Sequence, residues 1–328
     1  FFEPDAFDRQ ANRDLEDPPW ARSVVWNADG QDGARGAVRS ARGADIVVKT
    51  SGVGVHDALL EEAVLELKSE RTRVVFWDVD APATLDRVEK NPDDPFRRLI
   101  PEYDLILTYG GGRPVIDAYE RLGARACHCI YNGVDPSTHY PVPPDPRFEA
   151  TLGFLGNRMP DRESRVREFF FEPAAALSHH RFLLGGNGWH ENVPDLPNVL
   201  RLGHVYTKDH NAFNATPLAV LNINRESMAR YGFSPPTRVF EAAGAGACLI
   251  TDAWEGVDLF LEPDRECLVV RSGREVVEAL EDLDVERARA MGQAALERVL
   301  SSHTYERRAE TVESLFEPLF ARSQEVIK

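Results

Sequence analysis

Thr237, Arg238, Glu241, Thr251 and Asp252 fall within residues 234–256, a stretch whose pattern suits an anionic ligand. Ser234 is expected to cap a helix whose first position is Pro235, where the missing N–H costs nothing. The spacing of Thr237, Arg238 and Glu241 then puts them on neighbouring faces of the first two turns. Ala242, Ala243 and Ala245 keep that helix slim enough to pack close to a sheet, and Gly244 and Gly246 end it. Residues 247–251 read as an apolar strand carrying Thr251, with Asp252 at its carboxyl end. A helix N-terminus beside a strand's carboxyl end is where open α/β sheets hold phosphorylated ligands. The plainer reading is a βα pair closed by a buried Arg–Glu bridge.

Three other glycine turns follow strands in the same half. Gly153–Arg158 ends one, and its Gly156, Asn157 and Arg158 are candidates for backbone approach and a bidentate phosphate clamp, whereas Arg162, Arg165 and Arg167 read as solvated helix arginines. Gly186 and Asn187 sit in a Gly-Gly-Asn-Gly turn. His204, Val205 and Tyr206 follow Gly203. In the first half, a buried strand ends in Asp78 and Asp80, either of which is a candidate general base, and His56 in a glycine-rich turn is a rival. The competing role for the two acids is to cap a loop and the next helix. Cys127-His128-Cys129 tempts a metal reading, but strand alternation turns the cysteines one way and the histidine the other. No metal ligands are assigned.

The run Pro-Pro-Thr-Arg238-x-x-Glu241-Ala-x-x-x-Gly246-x-x-Leu-Ile-Thr-Asp252 resembles the donor motif of GT-B glycosyltransferases. More narrowly it is similar to the CgeB-like, spore-maturation type. The resemblance implies that Glu241 holds the ribose hydroxyls of a nucleotide sugar. It also implies that Thr237, Arg238 and the helix N-terminus face the diphosphate. It puts His204, Val205 and Tyr206 where such enzymes hold the nucleobase, and Arg225 against phosphate or sugar. GT-B enzymes generally need no metal, so the Asp78-x-Asp80 pair is not read as the metal motif of the GT-A class. No cofactor is expected beyond the donor substrate.

These residues need a scaffold of strands and helices in alternation. The chain has 328 residues, 43% of them hydrophobic, enough for two ordinary domains. Strands are expected near 23–26, 45–49, 73–77, 105–108 and 126–131, with helices at 55–68, 83–90 and 113–122 between them. A second alternation runs through strands at 151–155, 182–184, 199–202, 218–223, 247–251 and 267–270, with helices at 162–177, 207–215, 275–283, 285–303 and 305–320. Such alternation predicts parallel sheets covered on both faces. Proline-rich residues 141–147 read as the linker. The expected fold is therefore α/β and GT-B: two facing Rossmann-like domains, 1–141 on the acceptor side and 148–304 for the donor. The helix of 305–328 is expected to cross back to the first domain. Residues 1–5 read as the end of a strand and 5–22 as polar chain, so the resemblance implies that a first βα unit is missing.

A net charge of −16 and a pI near 5.1 argue against nucleic acid and anionic membrane as main partners. No run is apolar enough for a membrane span, no signal peptide opens the chain, and four cysteines fit a reducing cytoplasm. The expected activity is metal-independent transfer of a sugar from a nucleotide-diphosphate sugar to an acceptor hydroxyl. A nucleotide-sugar 2-epimerase-like enzyme and a non-catalytic two-lobed sugar-binding protein fit the same pattern.

Overall fold

The structure, a computed structural model, describes residues 1–7, 10, 17 and 19–321. Half of the polar stretch 5–22 and the tail 322–328 expected to extend the last helix lie outside the described residues. The chain forms two compact units. The first comprises Phe1–Ile130 and the chain from Val312 onward, and the second Tyr131–Thr311. Residues 141–147 thus lie inside the second unit, where the Asp145 amide donates to Thr216 Oγ1 at 3.0 Å.

In the first unit, β1 (Phe2–Asp5) pairs in parallel with β2 (Val24–Asn27). A four-stranded parallel sheet follows in chain order: β3 (Ile46–Thr50), β4 (Arg73–Asp78), β5 (Leu105–Thr108) and β6 (Cys127–Cys129). The central strands β4 and β5 are almost wholly buried apolar runs, as strands covered on both faces must be. Val312, Leu315, Phe316 and Leu319 of the helix Tyr305–Ala321 pack against Val75, Leu105, Leu107 and Ile130 of this unit. The helix expected over 55–68 is shorter, Asp57–Ala63, and tightens into a 3₁₀ turn at Val64–Leu67. The helix Gln31–Ser40 was not anticipated, because Gly33 and Gly36 hide its apolar face of Ala34, Ala37 and Val38.

The second unit holds a six-stranded parallel sheet in the order β12-β11-β10-β7-β8-β9. These strands are β7 (Leu152–Leu155), β8 (Phe182–Gly185), β9 (Val199–Gly203), β10 (Ala219–Asn222), β11 (Leu249–Asp252) and β12 (Leu268–Val270). The chain winds outward from β7 to β9, then returns and winds the other way from β10 to β12. The strand order reverses between β7 and β10, and a crevice at that point is where such sheets receive ligands. One face of the sheet buries Phe154, Phe170, Phe182 and Trp189; the other buries Val239, Phe240, Leu249 and Phe260. Within the expected helix 162–177, residues Arg167–Phe171 form a π-helical turn that buries three consecutive phenylalanines. Among the described residues no helix is long and apolar enough to cross a membrane.

Candidate functional site

The helix after the double proline begins at Thr237 rather than Pro235. A residue before proline is pushed out of the helical region, so Pro235 cannot open the helix while Pro236 follows it. Pro236 stands at the cap, and Ser234 does not cap: its hydroxyl donates to the Gly232 carbonyl at 2.9 Å. The other end follows the sequence, with the helix closing at Gly244 and Gly246 in the left-handed region at φ +74°. Thr237 is exposed at the first turn; Arg238 and Glu241 are half-buried and ion-paired at 3.1 Å.

Arg238 lies at the strand-order reversal with three arginines from other elements. Arg162 precedes the helix Glu163–Val166, Arg165 lies on it, and Arg225 follows β10. Arg165 pairs with Asp252 at 2.6 Å, and Arg225 with Asp161 at 2.7 Å. Arg162 donates to the Asn157 carbonyl at 2.7 Å and has no carboxylate partner among the described residues. The Nε atoms of Arg162, Arg165 and Arg238 and the Nδ2 atoms of Asn214 and Asn224 are buried with no hydrogen-bond partner. Burial pushes the Arg162 and Arg238 guanidinium pKa values down, and Arg225 and Arg238 add to the effect at Arg162. Asp161 and Asp252 pull the Arg162 value the other way. Buried donors are almost always satisfied, so a cluster of unpaired donors beside three guanidiniums is suited to receive an anion.

The neighbouring loops are held by backbone. The Gly156 amide donates to Gly185 O at 3.0 Å, the Gly186 amide to Gly203 O at 2.7 Å, and the Asn187 amide to Asn157 Oδ1 at 2.8 Å. Gly186 has φ +115°, and a Cβ there would stand 2.3 Å from the Gly156 carbonyl oxygen. That oxygen also accepts the Trp189 indole N–H at 2.6 Å. His204 and Tyr206 are exposed, edge to face at 4.7 Å, while Val205 is buried against Leu155, Leu183 and Phe213.

Several predicted residues are committed to structure. Arg158 is engaged by Glu163 at 2.6 Å and the Glu191 carbonyl at 2.7 Å. Thr251 and Asp252 are fully buried. Thr251 Oγ1 accepts from Asn222, and Asp252 accepts the Asn224 amide and Arg165. Burial pushes the Asp252 carboxyl up, against the pull of Arg165. Both residues therefore position Arg165 and the β10 loop rather than meet a ligand.

In the first unit, Asp78 is also fully buried. Its Oδ1 accepts from Ser51 Oγ at 2.7 Å, Thr84 Oγ1 at 3.0 Å and the Asp80 amide at 3.1 Å, and its Oδ2 accepts the Tyr119 hydroxyl. Burial pushes its pKa up. With both oxygens engaged it ties four elements together and presents no base to a substrate. His56 sits at φ +54° with its Nε2 3.0 Å from the Ala28 carbonyl. Asp80 stands half-buried at the N-terminus of the helix Ala81–Lys90. Cys127 is buried, His128 exposed and Cys129 between, and all four cysteines are free.

Of the clustered donors, the sequence pattern reads Arg162 and Arg165 as solvated helix arginines and gives no signal for Asn214. The only signal for the two arginines was position: each follows a strand end or faces one from a helix, but nothing local separates a buried arginine from a solvated one.

A family model described as "Glycosyl transferase-like" matches residues 162–314. No curated protein matches. Among solved structures, the sucrose-phosphate synthase of Thermosynechococcus elongatus superposes with TM-score 0.67 at 15% identity, over 94% of this chain and 86% of that one. The Anabaena protein HepE, solved with UDP and glucose, gives 0.62 at 13% identity, over 90% and 86%. The α,α-trehalose 6-phosphate synthase of Burkholderia multivorans gives 0.62 at 13%, over 90% and 75%. At these identities the likeness shows the fold, which is GT-B.

Proposed function

We propose that this chain, with its GT-B fold and its glycosyl transferase-like residues 162–314, transfers a hexose-type sugar from a nucleotide-diphosphate sugar to an acceptor hydroxyl. The single observation that carries the reading is the set of unpaired buried donors on Arg162, Arg165, Arg238 and Asn224 at the strand-order reversal. A diphosphate supplies the anionic oxygens these donors lack. HepE, which shares the fold, was solved with UDP, which supports a nucleoside diphosphate as the class of ligand.

In this reading Arg162, Arg165 and Arg238 hold the diphosphate and stabilise it as it leaves, helped by the N-terminus of the helix Thr237–Gly244. Three guanidiniums do the electrostatic work of a divalent metal, so transfer proceeds without one. Glu241 holds the ribose, Arg225 borders the phosphate or sugar, and His204, Val205 and Tyr206 flank the base. Asp80 is the acceptor-side base to test first. The motif around Arg238 and Glu241 supports a CgeB-like enzyme, and four free cysteines support a cytoplasmic one.

The test is calorimetric titration with UDP, TDP, GDP and ADP, and with the matching nucleosides, on the wild-type chain and on Arg162→Ala. One diphosphate should bind more tightly than its nucleoside. Arg162→Ala should lose about 10- to 100-fold in diphosphate affinity, the worth of a charged hydrogen bond, with nucleoside affinity unchanged. Equal diphosphate affinity in the variant would sink the reading.

A further inference from the structure

Beside the arginine cluster, a second constellation takes no part in phosphate binding. His139 follows the Asn132–Asp135 segment, His210 lies on the helix Thr207–Ala215, and Glu241 lies on the helix Thr237–Gly244. One ligand-type atom from each lies within 4.8 Å of the other two, and all three residues are half-buried. All belong to the second unit. We propose that His139, His210 and Glu241 form a binding site for a transition-metal dication of the zinc class.

The donor chemistry is specific. Two imidazoles and one carboxylate suit Zn²⁺, Co²⁺ or Ni²⁺, whereas Mg²⁺ and Ca²⁺ demand oxygen ligands. The outer contacts orient the ligands. His210 Nε2 lies 3.1 Å from the Val205 carbonyl, an obligate acceptor, so that nitrogen carries the proton and Nδ1 keeps its lone pair. His139 Nδ1 lies 2.9 Å from Thr138 Oγ1, which leaves Nε2. Glu241 gives Oε2 to Arg238 and keeps Oε1. Next to His210 in the chain is a buried acceptor with no partner, Asn211 Oδ1, on an amide whose nitrogen donates to the Thr138 carbonyl, next to His139, at 2.9 Å. Tetrahedral zinc holds its ligand atoms roughly 3.3 Å apart, so the three side chains close on the ion by small rotations. Three protein ligands leave a fourth position for water.

Glu241 is shared with the donor site, so metal and nucleotide exclude one another, and the dication acts as an inhibitor rather than a cofactor. This exclusion rests on the donor reading; the metal site itself does not.

The test is titration of the full chain with Co²⁺, followed by visible absorption, for wild type, His139→Ala and His210→Ala, with melting temperatures to show that each variant folds. The wild type should bind one Co²⁺ with the intense visible bands of a four-coordinate ion, displaced by Zn²⁺. Each variant should bind at least tenfold more weakly while melting like wild type. No band at stoichiometric metal, or an unchanged titration in both folded variants, would overturn the site. UDP added to the Co²⁺ form should bleach the band; simultaneous binding with neither affinity altered would overturn the sharing of Glu241. A wild type that gives the histidine-dependent band yet binds no nucleoside diphosphate would defeat the donor reading and leave the metal site standing.

Discussion

Two acids two residues apart, Asp78 and Asp80, show how burial divides chemistry at the residue scale. Asp78 accepts four hydrogen bonds in the core, so its replacement is a stability experiment. Asp78→Ala should cost on the order of 3 kcal/mol, because it strands several buried donors, whereas Asp78→Asn keeps an acceptor for three of them and should unfold within about 1 kcal/mol of wild type. The raised Asp78 pKa carries its own sign. Its contribution to stability is present below the ordinary carboxylate value and is lost as pH rises through the raised one. Asp80→Asn should leave the melting temperature and nucleotide affinity unchanged and lower kcat by about 100-fold or more. An unchanged kcat would remove Asp80 from the reaction. Three of the four cysteines follow the same logic: burial pushes Cys127, Cys248 and Cys267 each up to about 12, which makes them inert packing groups.

At the scale of elements, the loops after β7 and β8 function as one body. The Gly186 turn lies directly on the Gly156 carbonyl, and the Asn157 side chain bridges to the Asn187 amide. A side chain at 186 meets both a left-handed φ and a backbone oxygen. Gly186→Ala should therefore lower stability by on the order of 2 kcal/mol and weaken nucleoside diphosphate binding, because the displaced loop carries the Asn157 carbonyl that holds Arg162. A variant with wild-type melting and wild-type binding would show that the contact relaxes freely. The helix Thr237–Gly244 gives the complementary case. Its glycine end was legible in the sequence, since positive φ selects glycine. Its start was displaced by two residues, since the two prolines constrain each other.

For the molecule as a whole, one buried histidine is predicted to contribute to acid sensitivity. His303, between the helices Val285–Ser302 and Tyr305–Ala321, accepts from Arg308 at Nδ1 at 2.8 Å and packs against Phe240 and Phe260. Burial, then Arg308, holds its pKa down at about 4. Its stabilising contribution is complete above the unfolded value near 6.5 and is lost as pH falls toward 4. The loss is on the order of 3 kcal/mol across that window. Melting temperature should therefore fall between pH 7 and pH 4.5, and His303→Gln, which keeps an acceptor for Arg308, should flatten that slope. A slope unchanged in the variant would assign acid sensitivity elsewhere. The α/β class, most of the strands, the glycine turns and the Arg238–Glu241 motif are legible in the residues, because period-two and helical apolar patterns and positive-φ demands are local. Which charges are paired depends on the folded packing. Arg158 and Arg162 are four residues apart in one loop, yet Arg158 is ion-paired with Glu163 while Arg162 makes no carboxylate ion pair among the described residues and lies in the fields of Asp161, Arg225 and Arg238. Likewise, the sequence offered Cys127-His128-Cys129 as adjacent metal-type residues and strand alternation separates them, while His139, His210 and Glu241 meet only because three distant elements pack together. Burial and charge pairing depend on what long-range packing brings close, and no local pattern encodes that.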